Sequence, residues 1–148
     1  MTKLAALVAV LLVAQDAEKP KPQADKVDQA IVRAAKYLVA AQGKDGEISD
    51  RGANQTAMTA LAILGMAAVG HQPTDEGTPE GAAMKRALAF VLRPDRQDPQ
   101  GYLGGRDGSR MYGHGIVTLM LTEMLGMGVD ASMDQLIRDR AKKAVDLI

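Results

Sequence analysis

Between Gly101 and Gly115 the chain reads Gly-Tyr-Leu-Gly-Gly-Arg-Asp-Gly-Ser-Arg-Met-Tyr-Gly-His-Gly, and this stretch holds the residues best suited to chemistry. Arg106 and Arg110 are cations, Tyr112 and His114 are polar rings, and an apolar run with helical character follows directly. Unpaired amides at a helix start, flanked by guanidinium groups, form a ready site for an anion such as a diphosphate or a carboxylate. The competing reading is that the glycines make tight turns, the arginines are solvated, and Tyr112 and His114 cap or pack the helix end. Glycine-rich loops without a fixed fingerprint leave both readings open.

Metal and nucleophile chemistry have less to draw on. Asp107, His114 and Glu123 cannot share one ion, because nine helical residues separate His114 from Glu123, about 13.5 Å at the usual rise. His71 stands alone in a polar loop. The chain has no cysteine, so neither a disulfide nor a thiolate ligand can form. No metal and no cofactor are expected.

The elements that position the loop belong to one domain of 148 residues. Eighteen basic residues balance eighteen acidic ones, which argues against nucleic acid as a partner. Residues 1–17 read as an export signal: Lys3 is a positive start, residues 4–14 are apolar, and cleavage near Ala14 to Ala17 would release a periplasmic or extracellular protein. An apolar run of eleven residues is too short for a membrane span, which needs about 20. Residues 18–25 form a polar, proline-bearing linker.

Residues 26–148 are all helical by periodicity, with a two-helix unit written twice and begun a third time. The first unit covers 26–70, the second 78–128, and the third begins at 132–148. Pairing Ala34 with Ala87 gives an offset of 53, and pairing Gly65 with Gly126 gives 61, so the second unit has the longer internal loop. The helices expected at 26–41, 78–92 and from 132 are amphipathic. Those at 55–69 and 112–127 are apolar on nearly every face, which predicts inner helices buried all round. Asn54 and Thr78 are the expected N-caps of the second and third helices, with Pro79 at the first helical position of the third. Nine methionines are read as filling for narrow gaps between helices.

Arg33, Ala34, Tyr37, Gln42 and Gly46 together resemble the repeat of the squalene cyclase and protein prenyltransferase superfamily. Arg86, Ala87, Phe90, Gln97 and Gly101 match again with a longer spacer. Ile48 and Leu103 stand where the cyclases carry a tryptophan. The resemblance implies an α/α toroid of inner and outer helices, here about two and a half units of an incomplete ring. It also implies structural roles for Tyr37, Gln42, Gly46, Phe90, Gln97 and Gly101, with the two glutamines tying helix ends to neighbouring units.

The superfamily's catalytic sets do not come with the resemblance. The cyclase acid motif is absent, since Asp95-Arg-Gln-Asp98 lacks its spacing. Four aromatic residues cannot wall a carbocation cavity, whose charge needs several ring faces. The prenyltransferase zinc set and the thioester of other relatives both require cysteine. The expected function is therefore an exported, non-catalytic binding or interaction module, with an apolar or isoprenoid ligand or a protein as partner and a homo-oligomer completing the ring if the chain is whole. The alternative is the amino-terminal part of a larger terpenoid cyclase or prenyltransferase whose catalytic residues lie outside this chain. A sugar-acting toroid ranks behind both, because it needs paired carboxylates and the inner helices offer only Glu123.

Overall fold

The computed structural model describes residues 25–49, 51–106 and 108–148. The expected export segment, and all of the linker before Asp25, lie outside the described residues. Five α-helices follow in order: α1 (Lys26–Ala41), α2 (Gln55–Ala68), α3 (Pro79–Val91), α4 (Arg110–Glu123) and α5 (Ala131–Asp146), with a 3-10 turn at Pro94–Arg96. The protein is all-α, and no strand occurs among the described residues. None of the described helices is long and apolar enough to cross a membrane.

Local chemistry starts α1, α3 and α5 in one way and α2 and α4 in another. Asp25 accepts the Val27 and Asp28 amides, and Asp28 returns the favour in a capping box. Thr78 accepts the Gly81 amide at 3.0 Å, with Pro79 at the first helical position. Asp130 accepts the Met133 amide at 2.8 Å. The other two helices have no side-chain cap bond: the expected cap Asn54 instead sits in the left-handed region at φ 50°, and Ser109 is helical. Their ordering comes from packing, which outweighs end effects for an apolar helix.

α2 and α4 lie side by side at the centre, α3 packs on α2, α5 packs on α4, and α1 rests against α3. Ile63 and Met66 of α2 meet Met84 and Leu88 of α3, Val117 and Met120 of α4, and Ile137 of α5 in one continuous core. Each such side chain contributes about 1.5–3 kcal/mol relative to exposure. Met66, Met84, Met120 and Met124 are all fully buried, consistent with gap filling.

Besides the Asn54 cap, three expectations need correction. Neither central helix is buried all round: Leu61 of α2 is 45% exposed and Leu119 of α4 is 52% exposed. Each of these helices has helical neighbours on part of its circumference only, so one stripe stays open. α4 runs from Arg110 to Glu123, starting and ending earlier than the expected 112–127. The pairing of Gly65 with Gly126 also fails: Gly65 lies within α2, while Gly126 follows α4 at φ 78°. Its true counterpart is Gly70, which follows α2 at φ 91°.

The cap of α5 makes stability pH-dependent in a defined direction. The Met133 amide and the Ser132 hydroxyl hold the Asp130 carboxyl below its ordinary value of 3.8. A depressed folded-state pKa stabilises above the unfolded value, and that contribution disappears as the pH falls through the folded one. The urea midpoint of Asp130→Ala should therefore lie below that of the parent protein at pH 6 and converge with it below pH 3.8. A gap that persists unchanged into acid would refute the assignment.

Candidate functional site

The helices carry two turns built to the same plan. After α1, the Gln42 carboxamide donates to the Gly46 carbonyl at 3.0 Å and to the Ala83 carbonyl of α3 at 2.9 Å. After α3, Gln97 donates to the Gly101 carbonyl at 3.0 Å and to the Arg140 carbonyl of α5 at 3.0 Å. One side chain thus closes its own turn and fastens it to the next capped helix. A guanidinium from that helix completes each clasp, Arg86 on the Gln42 oxygen at 2.6 Å and Arg140 on the Gln97 oxygen at 3.4 Å. Burial lowers the pKa of the Arg140 guanidinium, and the charge of Asp95 acts in the opposite direction.

The glycines in these turns are there for clearance. Gly46 has φ 94° and a Cβ there would collide with the Arg86 carbonyl; Gly101 has φ 104° and a Cβ there would collide with the Lys143 carbonyl. Any other residue would be strained in backbone and would push the helix away.

The motif aromatics diverge. Phe90 is 2% exposed, with the Arg96 guanidinium 4.0 Å from its ring centroid and that of Arg93 at 5.1 Å. The 3-10 turn that brings in Arg96 is where the longer spacer of the second unit goes. Tyr37, its counterpart, is 72% exposed.

Each turn ends on a buried apolar residue tied to the following helix. The Ile48 amide donates to the Thr59 hydroxyl at 2.8 Å, and that hydroxyl donates onward to the Gln55 carbonyl at 2.6 Å. The Leu103 amide donates to His114 Nδ1 at 3.3 Å. His114 therefore replaces Thr59 at the same station, a role that sequence reasoning missed for both residues. The signal was present, since 42 to 97, 46 to 101, 48 to 103 and 59 to 114 all share one offset of 55.

The four residues considered for anion binding are not brought together. Arg106 pairs with Asp95 at 3.5 Å on the surface. Arg110 is exposed at φ 55°, its amide donating to the Gly104 carbonyl at 2.9 Å. Tyr112 is 86% exposed. His114 is fully buried, with the Tyr102 ring tilted 34° to it at 5.4 Å between centroids. Because Nδ1 accepts, the ring is neutral with its proton on Nε2, an atom that has no hydrogen-bond partner among the described residues. Gly104 and Gly113 allow close approach, since a Cβ on either would strike Arg110 or Ser109. No group of His, Asp or Glu suited to a metal ion occurs among the described residues.

The larger openings lie elsewhere. A groove of about 430 Å³ runs between α2 and α4, lined by Leu64, Ala67, Ala68, Leu119, Glu123 and Met127. A cleft of about 440 Å³ beside the second clasp is polar, and its Gln97 and Arg140 are already bonded to each other.

No family model, curated protein or solved structure matches the chain.

Two measurements check the clasp. Gln97→Ala removes the buried bond to the Gly101 carbonyl and the second bond to the Arg140 carbonyl, and should cost about 1–3 kcal/mol in urea unfolding. Gln42→Ala should cost less, because water reaches the half-buried first turn. Gln97→Glu should be worse than alanine, since it faces the carbonyls with oxygen; a milder effect would contradict the donor role. For His114, nitrogen-15 NMR should find the Nε2–H tautomer, and a ring protonated on both nitrogens at pH 7 would exclude the bond from Leu103.

Proposed function

We propose that this protein is an exported, non-catalytic binding module of the cyclase and prenyltransferase-like α/α-toroid kind. In this reading α2 and α4 are inner helices, α1, α3 and α5 are outer helices, and the described residues form an arc of two and a half units. The repeated motif and the twice-used clasp support it, because stacked hairpins need a fixed way of joining each to the next.

The observation that carries the function is the groove between α2 and α4. Leu119 and Leu64 are apolar side chains left facing an opening large enough for a small ligand. Its one charged lining residue is Glu123, a carboxylate, and Arg106 and Arg110 take no part in it. Such a groove suits a neutral apolar chain, such as a prenyl alcohol, and repels a diphosphate. The superfamily's affinity for isoprenoids and the absence of its catalytic sets point the same way.

Fluorescence titration with dansyl-labelled farnesol tests this on the intact chain. Saturable binding should weaken at least about tenfold in Leu119→Asp, where an exposed site spares the fold, and farnesyl diphosphate should compete poorly. Binding indifferent to Leu119→Asp would remove the groove from consideration. Turnover of a prenyl diphosphate that falls in Arg106→Ala would overturn the non-catalytic reading.

A further inference from the structure

The two clasps make α3 and α5 equivalent as recipients, and α1 carries the same recipient surface with no clasp on it among the described residues. On α3 this surface is Ala83, whose carbonyl receives Gln42, together with Arg86, Ala87 and Phe90. Ala83, Ala87 and Phe90 are buried. On α5 the corresponding carbonyl belongs to Arg140, and Ala144, one turn on, is again buried. On α1 the matching residues are Ala30, Arg33, Ala34 and Tyr37, and every one is exposed. Ala34 stands nine residues after its cap Asp25, as Ala87 stands nine after its cap Thr78, so the two helices are presented in the same register.

We infer that this face of α1 is a docking surface for a further α-hairpin of the same type, received through the Gln-x-x-x-Gly turn that follows the hairpin's first helix. The glutamine would donate to the Ala30 carbonyl, Arg33 would close the clasp on its oxygen, and the left-handed glycine would let the turn settle against Ala34. The argument is continuity with the interface already formed on α3 and on α5. It also accounts for α1 as the least buried helix, with Ala35 its only buried residue. The inference is independent of any ligand in the α2–α4 groove.

The test adds such a hairpin to the intact chain. A second copy of residues 25–77, its Asp25 cap included, is placed directly ahead of Asp25, so that Gly77 precedes Asp25 as it naturally precedes Thr78. Hydrogen exchange read by mass spectrometry then follows the peptide covering residues 26–41, which is present twice. The expected result is a split into equal fast and slow populations, the slow one retarded at least about tenfold. Gln42→Ala in the added copy alone should shrink that retardation. A single fast population would overturn the inference, as would loss of protection in α2 to α5. If α1 of the unextended chain already becomes protected as concentration rises, the face belongs to a second copy instead, and the inference fails.

Discussion

A single carboxamide with two donor hydrogens is the device on which the arrangement depends. Gln97 satisfies a carbonyl of its own turn and a carbonyl of α5 at once, at equal distances of 3.0 Å. That double donation turns a local chain reversal into a tertiary joint. It works only because Gly101 has no Cβ to hold the helix off, and because the α5 carbonyl at Arg140 accepts a second bond from the side. The same geometry at Gln42, Gly46 and Ala83 sets α3 against the first turn. With the capped helices fixed in this way, α2 and α4 fall side by side and the core closes among them.

Much of this was legible in the residues. Helix order, the first helix at its full extent, and the Thr78 and Pro79 start followed from spacing and side-chain chemistry, while the two glutamines were marked by the resemblance to a known repeat. The all-helical character followed from periodicity. Exposure of the central helices did not, because a helix apolar on every face says nothing about how many neighbours it has. Leu61 and Leu119 have the same sequence signature as Ile63 and Met120 and differ only in what lies beside them.

For the Gly101 to Gly115 loop the residues left an anion site and a packed helix end both open. Arginines, a tyrosine and a histidine close in sequence suggested convergence, yet glycine contacts fold the loop so that they separate. His114 goes inward to hold the Leu103 amide, Arg106 goes to Asp95, and Tyr112 goes to solvent. Composition identifies groups able to do chemistry; convergence requires the backbone path, and that path is set by contacts such as Gly104 with Arg110 and Gly113 with Ser109.

Each clasp grips a helix by its main chain. The carbonyl accepting Gln42 belongs to an alanine and the one accepting Gln97 to an arginine, and the guanidinium comes from three residues later in one case and from the same residue in the other. A joint of this kind is nearly blind to the amino acid it holds, provided the surface beside it is small enough for the glycine. Joints of this design are therefore tolerant parts: the helices they hold can drift in composition while the coupling between them stays the same.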